Sequence, residues 1–404
     1  MAPRMVFIAF VSTVASCLPA LPDASSGGGQ PSGGAAVSGN GECGSGSWQS
    51  GYLEIHHIDA GEAVSTLIVS PIGRSLLIDA GETEWDQNDG AKVVGAYVRG
   101  VLGCARLDYA VLTHFHLDHV GFPGHGGLWH LVHEQGFAVG KVLHRDLYRY
   151  SGAASETLSS WRDYLQSEDG RALNPEIVTL GKGQVELGGE VAFAFVAVDA
   201  NGAIAAGNFA ADPAPPDEND YSVAALLRLG KLDYFTAGDM SGETLIARQG
   251  GYSYHDLETR TAAQVRDVDI YRVSHHGSSH ASNPTLLAEM EPRVSIVQVA
   301  DGNPNGHPAQ GTVDRLLATS ALYLTEHGDP GTNLGGGKVV GHVVVRTSTG
   351  IDYTVNGDRF VASDPARVDG DRDGYFVEAD PDDHSAAEVP GPNGGCDATY
   401  QACP

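Results

Sequence analysis

The hydrophobic pattern changes abruptly at Tyr52. From about Asp23 to Gly51 the chain is Gly, Ser, Pro and small polar residues, and after it come short β-branched and aliphatic runs separated by Gly and Asp turns. The first three runs, Tyr52–Ile58, Thr66–Val69 and Leu76–Ile78, predict an opening antiparallel meander. Helical spacing over Gly90–Leu102 is followed by a buried-type strand at Asp108–Thr113, a helix starting near Val120, a strand at Val139–Leu143 and a helix at Ser155–Gln166. The second half predicts strands at Val191–Val198, Ser222–Leu229, Leu232–Ala237, Ile270–Val273, Val294–Val299 and Val339–Val345. Helices are expected near Gly242–Arg248, Pro284–Met290 and Thr312–Ala318. Strands followed by helices in both halves imply an α/β chain in which two sheets pack face to face with helices outside. No repeat has a solenoid period.

The two ends read differently. Arg4 precedes an apolar run, Met5–Ala15, that is too short for a spanning helix but has the length of a signal-peptide core. The run closes on Val14-Ala15-Ser16-Cys17, which resembles the lipobox of bacterial lipoproteins; the alternative is an ordinary signal peptide cut near Ala20. The organisation expected is a leader over 1–20, a flexible linker over 21–51, a catalytic domain over 52–360 and an acidic tail over 361–404. The expected location is outside the cytoplasm, as an envelope lipoprotein or a secreted protein. Membrane contact would come only through the lipid anchor. Export allows disulfides among Cys43, Cys104, Cys396 and Cys403; Cys396 with Cys403 is the simplest pairing, though the sequence does not fix it.

Composition narrows the classes of partner. The 404 residues carry 51 acidic and 24 basic side chains, a formal charge of -27, which repels nucleic-acid phosphate and anionic lipid unless basic residues cluster or cations offset the acids. Nucleic acid therefore enters only as a substrate.

The chemistry concentrates in Leu112-Thr113-His114-Phe115-His116-Leu117-Asp118-His119, directly after a hydrophobic strand. At a strand end His114 and His116 point to one side, and the following turn can bring Asp118 and His119 beside them. Three imidazoles and a carboxylate in six residues, with no Cys-containing zinc spacing anywhere, point to a His/carboxylate metal site. Zn, Mn and Fe all suit such donors.

His-x-His-x-Asp-His after a strand resembles the signature of the metallo-β-lactamase superfamily. Leu76-Leu77-Ile78-Asp79-Ala80-Gly81, Leu232 to Asp239 and Val273-Ser274-His275-His276-Gly277-Ser278 resemble its other motifs. Within the superfamily, Glu54 to Gly61, Glu218-Asn219-Asp220-Tyr221-Ser222 and Asn305-Gly306-His307-Pro308 resemble the metallo-β-lactamase-like domain of the ComEC/Rec2 DNA-uptake proteins. The resemblance covers about residues 52 to 357. It implies a four-layer αββα sandwich of two mixed sheets and two divalent metals. His114 and His116 would bind one metal, Asp118 and His119 the other, Asp239 would bridge, and His275 or His276 would complete the second position. Asp79 would orient the ligands from behind. Asp118, whichever of His275 and His276 is not a ligand, and His307 are the candidate catalytic groups; for His307 a surface-turn role is the alternative. Ser278 is a candidate anion contact or a turn hydroxyl, and Asp239 could instead cap a helix.

Three departures stand out. Glu62-Ala63-Val64 replaces the subfamily's usual Gln-Gly-Asp, no His lies between His144 and Asp239 to serve as a further ligand of the first metal, and no multi-pass membrane segment is present. Asp199 is the substitute candidate for the missing ligand, and a single-metal site is the alternative. In the tail, Asp369, Asp371, Asp373, Tyr375 and Asp380 have the spacing of a calcium loop, against the alternative of a solvated acidic linker. The resemblance implies a metal-dependent phosphodiesterase or nuclease, a small phosphodiester fitting the charge better than DNA, and the leader adds export. The other readings are a carbonyl hydrolase acting on a lactone, ester or β-lactam, and a non-hydrolytic metal- or calcium-binding surface module or redox protein.

Overall fold

The structure is a computed structural model that describes residues 45–82, 89–149, 154–188, 190–202, 216–245 and 254–363. The leader with Cys17, the tail with Asp369, Asp371, Asp373, Tyr375 and Asp380, and Cys43, Cys396 and Cys403 lie outside the described residues.

The chain opens with β1 (Leu53–His57), β2 (Thr66–Val69), β3 (Ser75–Ile78), β4 (Arg106–Leu112), β5 (Ala138–His144) and β6 (Pro175–Ile177) in one sheet. The second sheet takes β7 (Val191–Ala197), β8 (Ala224–Leu229), β9 (Leu232–Thr236), β10 (Ile270–Arg272), β11 (Val294–Val297), β12 (Ala321–Leu324) and β13 (Lys338–Val339). The chain then returns to the first sheet as β14 (Val343–Thr347), β15 (Asp352–Val355) and β16 (Asp358–Val361), with β14 beside β1. Both sheets are mixed: β3, β4, β5 and β6 run parallel, as do β9 to β13, while the remaining neighbours are antiparallel.

The period of two sorts each strand's side chains between two cores. Along β2 and β3, Ile68, Leu76 and Ile78 face the space between the sheets, where they meet Phe193, Leu227 and Tyr234, while Leu67, Val69 and Leu77 face outward. Strands buried on both faces read as unbroken apolar runs, which is why these elements were visible in the sequence. The outward face is covered by α1 (Asp89–Leu102), α3 (Gly127–His133) and α4 (Glu156–Gln166) through Val94, Val98, Leu128, Leu131, Leu158 and Trp161. Between them come the single turn α2 (Leu117–Val120) and, after α4, α5 (Glu168–Ala172). On the other side α6 (Glu258–Val265), α7 (Pro284–Met290) and α8 (Gln310–Thr319) cover the second sheet through Ala262, Val265, Leu286, Val313 and Leu316. The result is the expected four-layer αββα sandwich.

Some elements differ from the expectation. The run Val339–Val345 is not one strand: β13 and β14 belong to different sheets, and the chain turns between them at Gly341, whose φ is +72°. Gly242–Leu245 form bends and an isolated bridge from Leu245 to Tyr254 in place of the expected helix, whose remaining residues, 246–248, lie outside the described part. The helix here is α6, which buries Thr261 and Gln264 beside Ala262 and Val265, so its inward face looks polar in sequence. The helix expected from Val120 ends there instead, as the single turn α2 within the ligand loop, closed by Gly121 at φ +67°. β15 and β16 were not anticipated, although Asn356-Gly357, both at positive φ, is the two-residue turn that marks such a hairpin.

His57 ends β1 with no exposure, its ring 5.6 Å from that of Tyr234. Burial, reinforced by the Arg272 charge, pushes its pKa down from 6.5 to about 3. The unfolded chain therefore binds a proton that the fold does not, so stability present above pH 6.5 is lost as the pH falls from about 6.5 towards 3. A melting profile against pH should show a shallower acid limb in His57→Leu than in the parent. Equal slopes would remove His57 from the acid sensitivity.

Candidate metal centre

The site lies at the C-terminal ends of the parallel strands of both sheets, where strand ends leave backbone and side chains free to converge. Asp79 follows β3, the His114–His119 loop follows β4, Asp239 follows β9, His275 and His276 follow β10, and His307 lies beyond β11. The loop is clamped by backbone bonds: Val64, Ala80 and Glu82 N–H donate to the carbonyls of Asp118, His119 and Leu117 at 2.7, 2.8 and 3.0 Å.

Two groups of donors share Asp239. Asp118, His119, Asp239 and His276 form one, and His114, His116 and Asp239 the other, with the donor atoms of each group within 4.8 Å of one another. His119 Nε2 lies 2.9 Å from Asp239 Oδ1, and neither atom has another hydrogen-bond partner, so the two face one shared buried position. Orphaned imidazole and carboxylate atoms facing one position fit a cation, and the His/carboxylate donor set suits a divalent metal.

Supporting contacts fix two of the imidazoles. Asp79 accepts from Thr113 N–H at 2.8 Å, from Thr113 Oγ1 at 2.7 Å and from His119 Nδ1 at 2.8 Å, which leaves His119 Nε2 for the site. His276 Nδ1 donates to the Gln298 carbonyl at 3.0 Å, and its Nε2 points to Asp118 Oδ2 at 3.1 Å. Asp79→Ala should weaken metal binding about 10- to 100-fold, as loss of such a partner typically does. Calorimetric metal titration checks this, and unchanged affinity would contradict the orienting role.

Charge and burial divide the imidazoles. Burial alone would depress His119 and His276, but Asp239 and Asp118 outweigh it at His119, raising it to about 10, and Glu62 with the same two aspartates raises His276 to about 9. Burial opposes ionisation of Asp118 and Asp239 as well, yet the facing imidazoles hold both below the usual carboxylate range. Without a metal, protons balance these carboxylates, so metal binding must release protons and weaken in acid. By contrast, burial keeps His114 low, and it drops His275 and His307 to about 4.

Of the adjacent pair, His276 falls in the ligand group; His275 Nε2 lies 3.8 Å from Asp239 Oδ2 and its ring stands 5.2 Å from that of His307. Both residues adopt positive φ, +49° and +50°, a strained conformation of the kind kept at functional sites. His307 is buried, not a surface-turn residue, with Asn303 Oδ1 accepting its backbone N–H at 3.0 Å. Asp199 is in neither donor group and pairs with Arg149 at 3.1 Å. Asp239 caps no α-helix; the turn after it is held by the Asp239 N–H bond to Ser222 Oγ at 3.0 Å. Ser278 is a buried turn residue whose Oγ accepts from His280 N–H at 3.4 Å.

The centre opens on a cavity of about 680 Å³. Glu62, Asp118, Asp217, Glu218 and Asp239 line it with His116, His275 and His307, and no lysine or arginine does so among the described residues. Glu62, noted only as a departure in sequence, accepts from Asn303 Nδ2 at 2.6 Å and so ties its loop to the one bearing His307. Arg145 and Gln298 were not singled out at all; each acts through tertiary contacts that leave no spacing signal.

Layer order, mixed sheets and donors at the strand ends together decide the architecture. The fold is the metallo-β-lactamase fold. No family model matches the chain. It is similar to ComE operon protein 3 of Bacillus subtilis (strain 168), 23% identical over a 293-residue match that covers 67% of this chain and 31% of that protein. The chain thus spans about a third of that relative. Among solved structures it is similar to CmlA, a diiron β-hydroxylase from Streptomyces venezuelae, at 15% identity and TM-score 0.39, covering 73% of this chain and 54% of CmlA. Zn(2+)-bound PqqB from Methylobacterium extorquens gives 14% and 0.36, covering 69% and 84%. A subclass B3 metallo-β-lactamase from a soil metagenome, MEM-A1, gives 19% and 0.32, covering 55% and 81%. None of these TM-scores reaches 0.5, so the fold assignment rests on the layers and the site.

Proposed function

We infer that this chain is an exported, metal-dependent hydrolase of small phosphodiesters. The observation that carries the reading is the pair of donor groups joined by Asp239 at the floor of one open cavity. His114, His116 and Asp239 would hold one divalent metal, and Asp118, His119, Asp239 and His276 the other, Zn2+ being the first candidate and Mn or Fe the alternatives. Bound there, the metals supply Lewis acidity and lower the pKa of water to near neutrality. The Asp118 side chain, 30% exposed, is placed to accept a proton from an attacking water. His275 and His307, both neutral near pH 7, serve as hydrogen-bond partners for substrate oxygens and the leaving group. Of the adjacent pair, His276 is thereby the ligand and His275 the catalytic candidate.

The cavity wall supports a small substrate over nucleic acid. Among the described residues no lysine or arginine lines the cavity to bind the further phosphates of a polyanion, since Arg145 is spent on Glu218 and the metals would be spent on Asp118 and Asp239. The motif resemblance to the DNA-uptake domain favours a phosphodiester. The same lack of basic side chains suits an uncharged lactone or ester, which is the second reading. Export is supported by Cys104, which is disulfide-bonded, since such bonds persist in oxidising compartments. A lipid anchor at Cys17 and calcium binding in the tail belong to the same proposal.

The test is a panel on Zn2+- and Mn2+-loaded protein with bis-p-nitrophenyl phosphate, single- and double-stranded DNA, a lactone and nitrocefin. Turnover of the small phosphodiester above the rest is expected. Turnover of the lactone or nitrocefin alone would establish the carbonyl reading, and inactivity on all with two metals bound would overturn hydrolysis of these classes.

A further inference from the structure

A buried ion pair lies against the ligand loop without contributing a donor to it. Arg145 follows β5, and Glu218 opens the 3-10 turn Glu218–Tyr221 before β8; their side chains are 0% and 4% exposed. Arg145 Nε donates to Glu218 Oε1 at 2.7 Å, Nη2 donates to Oε2, and Nη1 donates to the Asp146 carbonyl at 2.7 Å. Glu218 Oε1 also accepts the backbone N–H of Phe115 at 2.8 Å. Phe115 is the residue between His114 and His116. The guanidinium covers the same residue's ring, 5.4 Å from its centroid, and lies 4.9 Å from that of Tyr221.

Burying two charges is costly, and packed apolar residues of similar size would often serve stability as well. What they could not do is accept the Phe115 N–H. That peptide sets the relative directions of the two imidazoles in the first donor group. The second group is fixed by other contacts, with Asp79 on His119 and the Gln298 carbonyl on His276. The pair therefore bears on one group and not the other.

We propose that the Arg145–Glu218 pair positions the first metal-binding group, holding the Phe115 peptide so that His114 and His116 converge on one cation. This rests on the reading that the two donor groups bind metals. Arg145 and Glu218 are positioning residues.

The test is Zn2+ titration of the full chain by calorimetry, with bound metal counted by elemental analysis. Glu218→Asp keeps the charge pair while shortening the reach to Phe115. Arg145→Met/Glu218→Leu replaces the pair with apolar side chains of similar size. Both should melt cooperatively yet bind Zn2+ about 10- to 100-fold more weakly at one of two positions, the range typical of lost outer contacts, with the other position unchanged. Arg145→Lys, which keeps Glu218 charged and facing Phe115, should stay within about threefold of the parent at both positions, well short of that range. Parental affinity at both positions in either of the first two variants would overturn the clamp alone. So would equal weakening of the two positions, or an Arg145→Lys defect as deep as that of the double variant. Absence of Zn2+ binding by the parent would overturn the metal reading and the clamp with it.

Discussion

Asp239→Ala is expected to lower hydrolysis by at least about 10³-fold, because the metals' share of transition-state stabilisation is several kcal/mol and each 1.36 kcal/mol is tenfold. Asp239 is the residue common to both donor groups, and it is 2% exposed. Its loss would remove one donor from each group at once and withdraw the carboxylate that faces His119, His275 and His276. The fold should survive, since the registers of β9 with β8 and β10 run through backbone bonds that do not involve this side chain. Turnover together with bound-metal count checks the expectation. Parental turnover with two metals per chain would remove Asp239 from the donors that the two positions share.

The other large effect comes from a residue that touches no metal. A Cβ on Gly81 would lie 1.7 Å from the Asp118 carbonyl oxygen, 2.1 Å from its carbon and 2.7 Å from His119 N. All three are backbone atoms of the ligand loop, so no side-chain rotation can relieve the overlap. Gly81→Ala must push the loop away from the strand that holds it, at a cost on the order of 3 kcal/mol for such overpacking. Asp118 and His119 would move with it. The expected result is a melting temperature lower by several degrees and loss of metal at the second position. A variant that melts and binds metal like the parent would show that the loop has room the packing denies.

Much of the fold was legible because its strands are buried on both faces. Leu76-Leu77-Ile78 reads as a strand whichever side chain faces which core, and the helical spacing of Val94 and Val98 is kept by burial on one side. Legibility failed where polar residues were buried, as in α6, or where one apolar run was divided between sheets at Gly341. At the site, His114, His116, Asp118 and His119 were legible because they fall within six consecutive residues just after a strand end, where short-range geometry keeps them near one another.

What the sequence by itself determined, then, was the layered α/β architecture and a compact His/Asp donor set, both consequences of short-range periodicity. The tertiary structure decided which donors meet. His276 reaches Asp118 across 158 residues of chain, and with both it and His275 at positive φ the alternation of a strand no longer tells which ring faces inward. The same packing left Asp199 to Arg149, filled the cavity wall with carboxylates and set Glu218 against the Phe115 peptide. Contacts between sheets depend on how two surfaces pack, and that leaves no spacing in the sequence to read.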